Sequence, residues 1–195
     1  PPEILKLIHT FVWVVREVIL LFKGMPTAII IEDIFSKEER RDIIKQAEPY
    51  WIDGEVLGEI EGEDWVYPGR QTQAGLQYVY GFQEYLKRIT DLINEKTGKN
   101  LTLIRAWLNQ TNGYKKDILW HDHRNDGDYV CTYYLKCPLI GQNGTLFREY
   151  GMVKAKENSL LLFPSDWEHT APTTFWNNPF HVDRYVMSID LLKPS

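Results

Sequence analysis

Two histidines separated by one residue, His121 and His123, are the side chains of this sequence best suited to do chemistry. In a β-strand, residues i and i+2 point to the same face, so both imidazoles aim one way while Asp122 aims the other. Neutral imidazole is a ligand for iron, copper, nickel and zinc. The pair therefore supplies half of a metal site, and a third ligand has to come from elsewhere in the chain.

His169 is the best candidate for the third ligand. It follows an apolar, strand-like run at residues 159–163 and a turn signal at residues 164–166. This order puts His169 at the edge of a strand, where a ligand can face a cavity. Three protein ligands on one side of a metal leave coordination positions open, as catalysis requires.

Arg184 begins another strand-like run, which extends to Leu191. Arg184, Val186 and Ser188 share one face of that strand. A guanidinium inside a β-structure needs an anionic partner, and a carboxylate that accepts two parallel hydrogen bonds is the natural one. No acidic residue is an obvious partner of Arg184 in the sequence, so the carboxylate of a bound ligand is a candidate for that partner.

The order of these signals resembles the iron(II)- and 2-oxoglutarate-dependent dioxygenases, most closely their prolyl-hydroxylase-like branch. The His-x-His form, with Trp-x-Asn upstream, is similar to a smaller set of predicted oxygenases from phages and bacteria. The resemblance covers roughly residues 101–192. The residues that carry it are His121, Tyr133, Tyr134, Leu135, Gly144, Leu146, Leu161, Phe163, Pro164, His169, Arg184 and Ser188.

The resemblance implies an enzyme whose cofactors are Fe(II) and 2-oxoglutarate. It implies hydroxylation of a substrate, coupled to decarboxylation of 2-oxoglutarate to succinate. His121 matches the first metal ligand of the family and His169 matches the distal one. The substrate is not readable from the sequence, and a protein side chain, a nucleobase or a small molecule all stay open.

Four further residues match cosubstrate contacts of the family. Arg184 matches the arginine that holds the far carboxylate of 2-oxoglutarate, and Ser188 matches the hydroxyl residue that supports it. Tyr134 matches a tyrosine that reaches the same carboxylate. Asn109 lies where a polar contact to the cosubstrate is common.

Position 123 departs from the family pattern. The family has Asp or Glu there, which completes a site of two histidines and one carboxylate. Strand parity favours His123 as the third ligand, and three neutral donors leave iron more positive than the usual set does. Asp122, presented by a local bulge, and Asp126 are the alternatives.

Two other functions are compatible with the same residues. One is a cupin-like enzyme that binds a metal through three histidines and uses oxygen without 2-oxoglutarate. The other is a jelly-roll binding protein that has lost activity, which is suggested by the presence of His123 where the family has an acidic residue. Loss of cosubstrate binding on removal of Arg184 separates the dioxygenase from the cupin-like enzyme.

Composition bounds the class of protein. The chain has 195 residues, 44% of them hydrophobic and 25% charged, which is typical of one globular domain. A formal net charge of −5 argues against binding of extended nucleic acid, because there is no basic excess to neutralise phosphates. Cys131 and Cys137 are read as free thiols in a reducing cytoplasm.

Residues 1–24 stand apart from the domain at residues 25–195. They have a wide apolar face with polar residues at roughly helical spacing, which predicts an amphipathic helix or a leader. Packing on the domain or on a partner chain is favoured over contact with a membrane surface. Arg16 and Glu17 interrupt the apolar run, so the segment is not a clean span.

The remaining pattern predicts an α+β fold, a double-stranded β-helix (jelly roll) with N-terminal helices packed on one sheet. A strand over residues 26–34 leads to a helix that Ser36 and Glu39 begin with a capping box. A second helix begins near Phe82 and ends near Gly98. Five strands follow, at residues 101–109, 129–136, 144–149, 159–163 and 184–192.

The segment between the helices, residues 51–77, is expected to be a long irregular loop. Such loops are often functional in compact domains, and in this superfamily the region commonly helps to cover the active site. The candidates for substrate contact in it are Trp65, Tyr67, Arg70, Gln71 and Gln73.

Overall fold

Two antiparallel sheets and two α-helices form the part of the chain that the computed structural model describes, which is residues 28–54, 56–57, 69–111, 120–138, 144–171 and 183–194. The elements are β1 (Ile29–Glu32), α1 (Lys37–Gln46), β2 (Trp51–Asp53), β3 (Arg70–Thr72), α2 (Phe82–Thr97), β4 (Thr102–Thr111), β5 (Tyr129–Lys136), β6 (Gly144–Phe147), β7 (Gly151–Lys154), β8 (Ser159–Pro164), β9 (His169–Thr170) and β10 (Arg184–Leu192). The major sheet has the strand order β1-β8-β5-β10-β4-β3-β2, and the minor sheet has the order β7-β6-β9.

The helix boundaries follow from local chemistry. Ser36 accepts a hydrogen bond from the Glu39 backbone N–H, and the Glu39 carboxylate accepts one from the Ser36 N–H, so the predicted capping box is confirmed. Helix α2 ends at Gly98, whose φ of 66° lies in the left-handed region that glycine enters without strain. Its buried stripe, Phe82, Leu86, Ile89 and Ile93, packs on the major sheet as predicted.

The central strands of the major sheet bury both of their faces. On β10, Tyr185, Met187, Ile189 and Leu191 join the helices in one hydrophobic core. Val186 points the other way and packs in a second core. This alternation is the period of two of a β-strand, and it separates a helix-covered face from a face that meets the minor sheet.

The second core joins the two sheets to each other. Val130, Tyr134 and Phe163 of the major sheet pack there with Phe147 and Val153 of the minor sheet. Phe147 contacts Phe163 edge-on, with ring centroids 4.9 Å apart. The minor sheet is thereby fixed over one face of the major sheet. The histidines and Arg184 singled out from the sequence lie in the space between the two sheets.

Several strand boundaries differ from the predicted ones. The first strand ends at Glu32 because Asp33 adopts a φ of 60°. The predicted strand at 144–149 ends at Phe147 in a turn, and β7 follows as a separate strand. The predicted irregular loop contains the short strands β2 and β3, which extend the major sheet.

Residues 1–27 lie outside the described residues, so the N-terminal helix and its boundary at residue 24 stay predictions. Trp65 and Tyr67 also lie outside the described part of the chain. Among the helices that are described, none is long and apolar enough to cross a membrane. Cys131 and Cys137 are both buried free thiols, as expected.

Candidate metal centre and anion pocket

His121, His123 and His169 come together at one end of the space between the sheets. One ring nitrogen from each lies within 4.8 Å of the others. The backbone places them: His121 and His169 form an antiparallel bridge, with N–H to O=C distances of 3.2 and 2.9 Å. His123 donates its N–H to the Ser165 carbonyl at 2.8 Å. His123 and His169 are each 6% exposed, whereas His121 is exposed to solvent.

The surroundings of His169 fix its tautomer. Its Nδ1 lies 2.8 Å from the Trp167 carbonyl oxygen, which accepts only, so Nδ1 carries the proton and Nε2 keeps a lone pair. Burial lowers the pKa of His169 to about 3, and the neighbouring His121 acts in the same direction. His169 is therefore a neutral imidazole near neutral pH, which is the state that binds a metal.

The two acidic alternatives at the site have other partners. Asp122 is not among the potential ligands of the histidine cluster and pairs with Arg124, with an Nη2 to Oδ2 distance of 2.6 Å. Asp126 pairs with Arg105 at 2.6 Å. Asp126 lies near His123, but in a second cluster of potential ligands that contains neither His121 nor His169.

His123 is held by groups that sequence reasoning did not identify. Its Nδ1 lies 2.9 Å from Oδ1 of Asp190, a carboxylate that is fully buried. Its ring stacks on Trp107, with centroids 5.7 Å apart and an interplanar angle of 13°. Asp190 has the strand parity of Arg184 and Ser188, and that parity is the signal that could have identified it.

Arg184 forms a cationic pocket at the other end of the same face. It is 6% exposed, and its Nη2 donates to the Gly144 carbonyl oxygen at 2.9 Å. Its guanidinium lies over the Tyr134 ring, 5.3 Å from the centroid. The buried Nε has no hydrogen-bond partner, and no acidic side chain of the described residues pairs with Arg184. A buried cation with an unused donor fits an anionic ligand.

A pair of hydroxyl groups lies beside that cation, and an amide–hydroxyl pair lies further along the strand. The Tyr134 hydroxyl lies 2.7 Å from Thr145 Oγ1, and burial raises the pKa of Tyr134 to about 12. Asn109 donates to Ser188 Oγ at 3.1 Å. Since Arg184 and Ser188 are four residues apart on one strand, their Cα atoms are about 13 Å apart. Thr145 was missed because no sequence pattern distinguishes it from an ordinary strand threonine.

The strand register gives the distance between the two features. Phe147 of β6 pairs with His169, and Gly144 of the same strand accepts the hydrogen bond of Arg184. Three residues of a strand span about 10 Å. The face therefore presents three imidazoles and, about 10 Å along the sheet, a buried guanidinium without an acidic partner in the described residues.

The candidates for substrate contact that are described lie at the far edge of the major sheet. Arg70 donates to Gln110 Oε1 at 2.6 Å and lies over the Trp51 ring. Gln71 is half-buried and Gln73 is exposed. The structure does not bring these three side chains into the histidine cluster, and their role in substrate contact stays a prediction.

The chain was compared with family models, with curated protein sequences and with solved structures, and only the solved structures match. No family model and no curated protein sequence matches the chain. Solved structures do match. AviO1 from Streptomyces viridochromogenes Tue57 is 13% identical, with a TM-score of 0.60 over 86% of this chain and 90% of that one. A viral collagen prolyl hydroxylase from Paramecium Bursaria Chlorella virus-1, in complex with 2-oxoglutarate, is 15% identical, with a TM-score of 0.52 over 86% and 96%.

HygX from Streptomyces hygroscopicus, with nickel, 2-oxoglutarate and hygromycin B bound, is 13% identical, with a TM-score of 0.57 over 86% of this chain and 83% of that one. This chain has the fold of the 2-oxoglutarate- and iron(II)-dependent oxygenases. The resemblance inferred from the order of sequence motifs is thus confirmed at the level of fold. At these identities the match carries the fold alone, and the side chains have to carry the chemistry.

Proposed function

We propose that the protein is an Fe(II)- and 2-oxoglutarate-dependent dioxygenase, built on a double-stranded β-helix, that hydroxylates an unidentified substrate. The observation that carries the proposal is the pairing of two features on one face. Three histidine nitrogens converge within 4.8 Å, and a buried arginine without an acidic partner in the described residues lies on the same face.

The donor set fits a divalent transition metal. His121, His123 and His169 would hold Fe(II) through imidazole nitrogens, which suit iron. The hydrogen bond from His169 Nδ1 to the Trp167 carbonyl leaves Nε2 free for the metal. Three protein ligands leave positions for a chelating cosubstrate and for oxygen.

The anion pocket fits the far carboxylate of 2-oxoglutarate. Arg184 would hold that carboxylate through its guanidinium, in particular through the Nε that lacks a partner. Tyr134 and Thr145 would add hydroxyl groups beside it. Asn109 and Ser188, already joined by a hydrogen bond, would line the wall between the pocket and the metal.

Bound together, Fe(II) and 2-oxoglutarate would supply hydroxylation of a C–H bond by dioxygen, in which one oxygen atom enters the substrate, the other enters succinate and carbon dioxide is released. The chain's own residues position and shield these groups. Phe147 and Phe163, which lie beside His169, exclude water from one side of the centre. Exposed His121 marks the open side, where a substrate would approach.

The test is an anaerobic titration of the metal-free protein with Fe(II) and 2-oxoglutarate, followed by the metal-to-ligand absorption band. The band is expected in the wild type and is expected to require higher 2-oxoglutarate concentrations in Arg184→Ala. Arg88→Ala is the matched control, since Arg88 forms a surface ion pair with Glu39 on the helical side. A band of equal affinity in all three proteins contradicts the role of Arg184.

The three-histidine cluster also favours a second candidate, a cupin-like oxygenase that does not use 2-oxoglutarate. Its specific support is the lack of a carboxylate among His121, His123 and His169. In the same titration it would bind Fe(II) without developing the band. An inactive binding protein with the same fold would bind no iron.

The cosubstrate is a small molecule under this proposal, and the substrate is a protein side chain or a small molecule. We place the protein in the cytoplasm, because the buried thiols Cys131 and Cys137 are unpaired and suit a reducing compartment. Liquid chromatography of the thiol-alkylated, denatured protein without reductant is expected to show two modified cysteines.

A further inference from the structure

The histidine cluster contains no negatively charged ligand. A site of two histidines and one carboxylate gives iron one anionic ligand, whereas His121, His123 and His169 give none. An anion close to one of the three imidazoles, without being a ligand itself, restores part of that charge through the ring. The structure contains a carboxylate in that position.

That carboxylate belongs to Asp190. It is 0% exposed, and its Oδ1 lies 2.9 Å from Nδ1 of His123. Neither atom has a regular hydrogen bond to any other group of the described residues. Since a carboxylate accepts and an imidazole Nδ1 donates when protonated, the two atoms are natural partners once the ring is turned slightly. That tautomer leaves His123 Nε2 with its lone pair directed away from Asp190.

Arg105 and Asp126 hold Asp190 in place. Asp190 Oδ2 accepts a charge-assisted hydrogen bond from Arg105 Nε, and Arg105 Nη2 also pairs with Asp126 at 2.6 Å. His123, Asp126 and Asp190 are close enough to one another to resemble a second metal site. The guanidinium of Arg105 pairs with both carboxylates but offsets only one of their two negative charges, which leaves a net negative charge beside His123. In this assignment the cluster supports the histidine rather than binding a cation.

Trp107 fixes the plane of the ring. The Trp107 ring stacks on the His123 ring. The Arg105 guanidinium lies over the Trp107 ring, 5.2 Å from the centroid of that ring. His123 is therefore fixed by stacking, by its backbone hydrogen bond to Ser165 and by the carboxylate at Nδ1. These contacts determine which nitrogen faces His121 and His169.

We infer that Asp190 is a positioning residue that supplies, through His123, the negative charge that the metal centre lacks because position 123 is not acidic. The inference rests on the proposed metal centre but not on the use of 2-oxoglutarate. It explains why a buried aspartate lies on the sheet face opposite the helices, 2.9 Å from a candidate ligand. A carboxylate behind a metal-binding histidine raises the basicity of the ring and holds its orientation.

The first experiment measures Fe(II) and Zn(II) affinity by anaerobic competition with a chelator, without 2-oxoglutarate. Asp190→Asn keeps the shape of the side chain and removes its charge. This variant is expected to bind both metals about 10-fold to 100-fold more weakly, as happens when a group that hydrogen-bonds to a metal ligand is lost. Asp128→Asn is the matched control, because Asp128 accepts a hydrogen bond from the Lys193 backbone and belongs to neither cluster. Equal affinities in wild type and Asp190→Asn overturn the inference.

A double-mutant cycle separates charge from mere structural support. In a His123→Asp background the anion is in the ligand itself, so Asp190→Asn is expected to leave metal affinity unchanged or raise it. The same loss in both backgrounds would mean that Asp190 supports the fold and not the charge of the centre, which overturns the inference. If Fe(II)-loaded wild type also shows the 2-oxoglutarate band, that band is expected to move to shorter wavelength in Asp190→Asn.

A measurement on the wild type alone decides the matter even if Asp190→Asn does not fold. In the zinc-loaded protein, NMR of the histidine side chains is expected to show His123 bound through Nε2, with a hydrogen-bonded proton on Nδ1. Coordination through Nδ1, or an Nδ1 without a proton, overturns the inference. Metal binding without any 2-oxoglutarate band refutes the proposed reaction and leaves this result standing, whereas a wild type that binds no metal overturns both.

Discussion

Odd-numbered side chains of β10 pack against the helices, whereas even-numbered side chains of the same strand face the minor sheet and the histidine cluster. The first set is Tyr185, Met187, Ile189 and Leu191, and all four are buried in the helix-covered core. The second set contains Arg184, Ser188 and Asp190, with Val186 as its apolar member. One strand thus stabilises the fold with one face and presents the polar groups of the site with the other.

The difference follows from solvation. A buried apolar side chain needs only close packing, whereas a buried charge needs a partner. Asp190 has Arg105, but Arg184 has no acidic partner in the described residues, only the Gly144 carbonyl and the Tyr134 ring. The imbalance on the second face is what a binding site for an anion requires, and the first face shows none.

The largest expected effect is on the site-facing side, from removal of a metal ligand. His169→Ala is expected to reduce Fe(II) affinity by more than about 100-fold, because it deletes a metal ligand and leaves a cavity. That loss exceeds the one expected when a group that only hydrogen-bonds to a metal ligand is removed. Chelator competition measures it. Asp122→Asn is the control, since Asp122 pairs with Arg124 and is not among the potential ligands, and the Fe(II) affinity of this variant is expected to match that of the wild type.

The helix-facing side is expected to respond in stability instead. Ile189→Ala removes a fully buried side chain next to Ser188 and is expected to lower the free energy of unfolding by about 2–5 kcal/mol. Under conditions in which the variant is fully folded, its metal affinity is expected to equal that of the wild type. Denaturant unfolding with a parallel chelator assay measures both quantities, and a large loss of affinity would show that the two faces are coupled.

Gly144 lies at the point where the minor sheet meets the anion pocket. Its φ is 137°, and a Cβ there would come within 1.9 Å of the Val153 carbonyl oxygen. Gly144→Ala is therefore expected to destabilise the protein by about 1–3 kcal/mol and to weaken 2-oxoglutarate binding, because the carbonyl that holds Arg184 moves. Gly75→Ala is the control, since a Cβ there meets nothing within 4 Å.

The smallest expected effect lies on the surface of α1, far from the site. The hydrogen bond from Arg88, and then that from the Ser36 backbone, lowers the pKa of Glu39 below its usual 4.5. Its contribution to stability is present above pH 4.5 and is lost as pH falls through the lower folded pKa. Thermal unfolding of wild type and Glu39→Gln is expected to differ slightly at pH 6 and to converge toward pH 3, since exposed ion pairs contribute little.

Strand periodicity and capping chemistry predicted much of this arrangement. The period of two put Arg184 and Ser188 on one face, and the Ser36 capping box began the helix at the right residue. Short strands such as β2, β3 and β9 were not predictable, because the pairing that defines them depends on strands distant in sequence.

The candidate site was predictable only where motif order applied. The three histidines were singled out because their order along the chain, together with that of Arg184 and Ser188, matches the motif order of the family, whereas His-x-His alone is a weak signal. Asp190 and Thr145 were missed, and Trp107 was noted only as part of the Trp-x-Asn motif, because strand residues of these types have no pattern that marks what they contact. Their contacts with His123 and Tyr134 arise from strand register, which sequence spacing alone does not give.

The most direct test is anomalous diffraction at the iron absorption edge, from crystals grown and loaded anaerobically with Fe(II) and 2-oxoglutarate. The account predicts one iron bound by nitrogens of His121, His123 and His169, with 2-oxoglutarate reaching Arg184. Iron in the cluster of His123, Asp126 and Asp190, or iron with a carboxylate ligand from Asp122, would contradict it.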